Sequence, residues 1–195
     1  MKFIRYFAQK LCKKMVMKGI VKEEDAELYI YGIVNGLIMS GNIMTAFLIG
    51  ILTRRLEIVL VFLFFYASLR TFSGGYHMES KLLCYVFSSL ILLIPVYTKD
   101  WVLSHIPMAA LVIIGVLAVV IIMVLSPVES IHKRLEPEER KFFRRVSHCI
   151  VSIQFCIVVG LLFLDMYDFC YTGYVSILLV ALFMGIGWTT TKRYT

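Results

Sequence analysis

The sequence predicts an all-α, polytopic membrane protein of about six transmembrane helices, preceded by an N-terminal amphipathic helix at the membrane interface. Three observations predict it. Of 195 residues, 60% are hydrophobic and only 17% charged, far from the balance of a soluble domain. The apolar residues gather into six runs, at 29–52, 56–69, 82–97, 102–125, 146–164 and 171–188. The net charge of +7 is concentrated in clusters beside these runs, a pattern that reports membrane orientation and argues against nucleic acid as a partner. The chain reads as one membrane-embedded domain over 1–195.

The first element is amphipathic. Phe3, Phe7, Leu11 and Met15 recur every four residues with Ile4 and Ala8 alongside, while Lys2, Arg5, Lys10, Lys13 and Lys14 supply a basic face. A helix within 1–20 would lie along the membrane surface against anionic lipids. It lacks an unbroken apolar stretch and a small-residue cleavage site, so it does not read as a signal peptide.

A spanning helix needs roughly 20 residues for a hydrocarbon core of about 30 Å. The first and fourth runs reach that length, the last two nearly do, and the second and third fall short. Residues 58–69 would cover only about 18 Å, so the polar stretch after them is expected to begin at or below the interface. Basic residues place the N-terminal segment, a loop at 126–145 and the tail (Lys192, Arg193) in the cytoplasm. The turn holding Asp165 and Asp168 lacks Lys and Arg and suits the outer side. Arg54 and Arg55 run against this pattern. The first run also contains Asn35, Ser40, Gly41 and Asn42, so the first pair, or the segment 70–84, is open to a tilted or re-entrant arrangement.

Between the second and third runs stands RTFSGGYHMESKLLC, residues 70–84. Ionisable groups close to lipid are expensive and tend to serve a task, although a plain polar turn would also contain Arg, His and Lys. Cys84 is a candidate nucleophile and His77 its candidate base. On one continuous helix the two would stand about 10 Å apart along the axis, beyond proton-transfer distance. His77 must therefore lie off the helix. Ser73, Gly74 and Gly75 can supply the turn, and Glu79 or Ser80 can start a helix with Cys84 in its first turns.

The other groups suggest less. The five cysteines (Cys12, Cys84, Cys149, Cys156, Cys170) share no CxxC spacing, and no pair among His77, Cys84, His105, His132 and His148 falls at a metal-ligand spacing, so neither a metal nor another cofactor is predicted. Cys149 and Cys156 read as packing residues of the fifth span. Glu138 and Glu139 with Arg144 read as a salt-bridged cytoplasmic hairpin.

Taken together, the chain resembles the AgrB family, the membrane cysteine endopeptidases of accessory gene regulator quorum-sensing systems. The likeness covers nearly the whole chain: the basic amphipathic start, the Arg, Gly-Gly, His and Cys of residues 70–84, and the Pro-led basic loop SPVESIHKRLEPEERKFFRRVS. It implies cleavage of a small AgrD-like precursor peptide on its C-terminal side and a cyclic thiolactone or lactone peptide as the eventual product. Cys84 would be the nucleophile and His77 the base, and Arg70 and Gly75 match positions that the family needs for activity. Backbone N–H groups of Gly74 and Gly75, or of the following helix start, are candidate oxyanion donors. Arg70 would hold a precursor carboxylate or brace the loop through a carbonyl. Glu79 joins this set without an assigned role. Homodimerisation follows from the resemblance alone. The competing reading is a non-catalytic peptide exporter lined by Asn35, Asn42 and Gln154.

Overall fold

The computed structural model describes residues 2–75, 80–128 and 136–193. Among the described residues are seven α-helices: α1 Lys2–Met17, α2 Ala26–Leu52, α3 Leu56–Ser73, α4 Lys81–His105, α5 Met108–Leu125, α6 Pro137–Phe163 and α7 Tyr167–Arg193. A 3-10 turn, Glu23–Asp25, leads into α2. The last six helices are long and apolar enough to cross a membrane, which makes the fold the predicted all-α polytopic one. Each reverses direction on its predecessor. The ends of α3, α5 and α7 and the starts of α4 and α6 therefore collect at one end of the bundle, called here the site end.

The first pair is not re-entrant. Asn35, Ser40, Gly41 and Asn42 lie within an unbroken α2 of 27 residues. α3 extends to Ser73, its 18 residues covering about 27 Å, so Arg70 sits in the last turn of a full span rather than past a short one. α4 likewise runs past the expected end at 97, through Lys99 and Asp100, to His105. Those two charges fall between the third and fourth apolar runs, 82–97 and 102–125. They stay helical because Lys99, its side chain only 8% exposed, pairs with Asp168 at 2.5 Å, and Asp100 pairs with Arg55 at 2.9 Å. The turn falls instead at Ile106 and Pro107, where Pro107 is the N-cap of α5 and the proline ring disfavours helix in the residue before it.

The 126–145 segment is also less of a loop than expected, since α6 begins at Pro137. Glu136 and Glu139 form a capping box, with the Glu139 carboxylate accepting the Glu136 N–H at 3.2 Å, and Pro137 suits the first helical position. Glu139 thus caps a helix rather than closing a salt-bridged hairpin.

α7 is the central helix, packed against α3, α4, α5 and α6. Its Tyr171, Tyr174, Ile177, Val180 and Met184 meet Leu69, Leu111, Ile122, Val151 and Val158 in the main core. A Cβ on Gly173 would overlap Val158 and one on Gly115 would overlap the Tyr174 ring, so small residues set how closely these helices approach. A smaller core joins α2, α3 and α4 through Ala46, Ile58, Phe62, Ile91, Leu92 and Val96, and receives Phe183 from α7. α1 packs on α2, but not by the stripe with the strongest periodicity. Ala8 and Cys12 are the buried pair, whereas Phe3, Phe7 and Leu11 remain exposed on the adjoining flank.

Candidate active site

The described ends of the 70–84 stretch are shaped by two glycines. Gly74 adopts φ 70° and Gly75 φ 117°, conformations that L side chains rarely take. The Gly74 turn runs beside Val128, the residue that follows Pro127 in the connection leaving α5. Val128 N–H donates to the Ser73 carbonyl at 3.0 Å, and Gly75 N–H donates to the Val128 carbonyl at 3.3 Å. A Cβ on Gly74 would overlap the Val128 carbonyl oxygen. One on Gly75 would overlap the Arg70 guanidinium and crowd the Phe183 carbonyl. Below the turn, buried Ser73 and Ser147 share a hydroxyl hydrogen bond of 2.7 Å, which ties α3 to α6.

Arg70 braces this turn: its Nη1 donates to the Gly74 carbonyl oxygen, and its guanidinium lies 6.0 Å from the centre of the Phe183 ring. This contact has the form of the carbonyl brace expected as one of the roles of Arg70. The Gly74 and Gly75 N–H groups, proposed from sequence as oxyanion donors, are committed elsewhere, to the Arg70 carbonyl at 3.2 Å and to Val128. The start of α4 is the other candidate source. Ser80 is its N-cap, accepting from Leu83 N–H through the side chain at 3.5 Å and from Cys84 N–H through the carbonyl at 2.9 Å. The preceding N–H groups, those of Lys81 and Leu82, have no intrahelical acceptor.

Cys84 therefore sits in the first turns of α4, as expected, half-buried and within electrostatic range of Arg70 and Tyr66. Phe87, one turn further on, meets Phe183 edge to face at 5.6 Å. Cys84, Arg70, Gly75 and Phe183 thus converge from α4, α3 and α7. His77 and Glu79 lie outside the described residues. Phe183, Tyr66 and Val128 were not found from sequence, where each is one apolar or aromatic residue among many, with no local signal marking it.

The remaining candidates are dispersed. Cys149 and Cys156 are exposed on the outer face of α6 rather than packed, while Cys12 and Cys170 are buried. His105 stacks on Trp101 at 4.9 Å at the far end of α4, and His148 bonds the Met123 carbonyl at 2.9 Å. Among the described residues no group of His, Cys, Asp and Glu could hold a metal ion. Gln154 Nε2 donates to the Phe65 carbonyl and the Ser68 hydroxyl between α3 and α6, and Asn42 lies on α2, which packs against α1, α3 and α4.

Six membrane-length helices around a glycine-shaped turn with a helix-start cysteine define a multi-pass membrane protein with a polar site at one end of its bundle. The family model for accessory gene regulator B matches residues 4–189, and the chain belongs to that family, AgrB. It is accordingly a membrane protein of the accessory gene regulator quorum-sensing system, whose family acts in peptide processing with a precursor peptide. No curated protein and no solved structure matches the chain.

Proposed function

We propose that the protein is an integral-membrane cysteine endopeptidase that cleaves the C-terminal part of an AgrD-like precursor and assists closure of a thiolactone or lactone ring. The observation that carries this is the position of Cys84: capped in the first turns of α4, half-buried, and within range of the Arg70 that braces the glycine turn.

The Cys84 sulfur attacks the scissile carbonyl while His77 takes its proton. The tetrahedral intermediate then collapses as His77 returns that proton to the leaving amine, leaving a thioester. An internal Cys or Ser of the precursor attacks this thioester, closes the ring and frees Cys84. Such an exchange between thioesters requires little free energy but needs water kept away, which a site within a membrane bundle favours. Glu79, nearby in sequence, has no defined step. Both termini and the site would face the cytoplasm, with the exposed Phe3, Phe7 and Leu11 stripe of α1 set in the interface and its lysines against anionic lipid.

The test is co-expression with the precursor. Cys84→Ser and His77→Ala should each lower cleavage by about 10³-fold or more while the protein still inserts. Unchanged cleavage in both variants removes the protease reading, and transport of intact peptide by Cys84→Ser would favour an exporter.

A further inference from the structure

α4 shows an abrupt change along its inward face. Ile91, Leu92, Pro95, Val96 and Lys99 form that face, and all are buried. One turn nearer the site end the same face continues through Ser88 and Cys84, yet Ser88 is exposed and Cys84 half-buried. Ser88 is no outward-facing residue: it lies seven positions from Pro95 and four from Leu92, in register with both. The face is thus left open as a wedge, closed on one flank by Phe87 against Phe183 of α7 and on the other by the Tyr85–Thr45 hydrogen bond to α2. Ile91 and Leu92, packed in one cluster with Phe183 and Tyr66, lie at its inner end. The Cys84 sulfur is at the mouth.

We propose that this wedge is a substrate slot, receiving a compact apolar side chain next to the bond that Cys84 attacks, and that Ser88 sets the size it accepts. The proposal rests on the endopeptidase reading and names where its substrate sits. Its apolar floor and aromatic wall favour a hydrocarbon side chain, and the small Ser88, whose hydroxyl is turned back to the Cys84 carbonyl at 2.8 Å, leaves the volume free. A larger residue at 88 would fill the slot beside Cys84, one turn before it on the same face.

The test is made on the full chain in detergent, with the exposed thiols removed by Cys149→Ala and Cys156→Ala. Alkylation of Cys84 by N-ethylmaleimide and by N-benzylmaleimide is followed by mass spectrometry in Ser88→Val, in Ser88→Leu and in Val86→Phe, a control on the exposed outer face of α4. Ser88→Leu should slow the benzyl reagent about tenfold or more and the ethyl reagent less than twofold, with Ser88→Val between, and should lower kcat/KM for precursor cleavage by a similar factor. Equal slowing of both reagents, slowing of neither, or the same effect from Val86→Phe overturns the slot. Retained cleavage by Cys84→Ser overturns the endopeptidase reading, and the assignment to substrate with it, whatever the alkylation rates.

Discussion

The two ends of the bundle are held by different physics. At the site end α3, α6 and the connection after α5 are joined by backbone hydrogen bonds around Gly74 and Val128 and by the buried Ser73–Ser147 pair. At the far end α3, α4 and α7 are joined by charge: Arg55 to Asp100, and Lys99 to Asp100 and Asp168. α4 takes part in both ends, but differently. Near Lys99 its inward face is clamped by charge, whereas near Cys84 it is held at its flanks, by the Tyr85–Thr45 hydrogen bond to α2 and the Phe87–Phe183 contact to α7, with the Ser88 face between them exposed.

The sharpest way to break this contrast is at Gly74. Gly74→Ala sets a side chain at φ 70° against a backbone carbonyl that cannot swing away, and should cost about 3 kcal/mol together with most cleavage activity. Thermal unfolding in detergent at wild-type values would show that the turn is not rigid. Next comes the ionic end. Asp168→Asn leaves Lys99 buried beside Asp100 alone, and about 2 kcal/mol of stability should be lost, discounted for the half-exposed Asp168. The same variant should leave Cys84 alkylation within twofold of wild type. A large change there would mean that the two ends are coupled and the comparison is wrong.

Smaller effects sharpen the picture. Ser73→Ala and Ser147→Ala should each cost about 1–2 kcal/mol, and the double variant less than the sum, because each single change strands a buried hydroxyl. Strict additivity in that cycle would sink the assigned bond. Ser80→Ala, which removes the N-cap of α4, should cost about 0.5–1 kcal/mol and speed hydrogen exchange in the first turn of α4 before any other helix responds. Uniform exchange across α4 would argue against a difference between its two ends.

Much of the site was legible in sequence because its informative residues were out of place: an Arg, two glycines and a Cys between apolar runs. The helix start before Cys84 was legible because Ser80 is a good cap and Gly74–Gly75 a good break. The partners of that turn were not. Val128 lies 54 residues after Gly74 and Phe183 more than a hundred, and neither differs locally from the other apolar residues around it. The commitment of the Gly75 N–H was hidden for the same reason, since its acceptor is Val128, whereas Gly74 N–H bonds Arg70, four residues before it. Lys99 and Asp100 misled because a charge pair in an apolar run signals a turn unless its counter-charges are known, and Asp168 and Arg55 come from other helices.

By itself the sequence determined that the chain is helical, crosses a membrane about six times and bears an Arg, Gly-Gly, His, Cys stretch between two spans. Hydrophobic length, basic clusters and turn residues are local properties, and the bilayer admits few answers to them. The tertiary structure alone decided which helix lies at the centre, why neither glycine can carry a side chain, what Arg70 holds, and that α4 is clamped at one end and open at the other. Those outcomes depend on which faces meet across long separations in the chain, and in a sequence where nearly every face is apolar, packing shape and a few buried polar contacts make that choice.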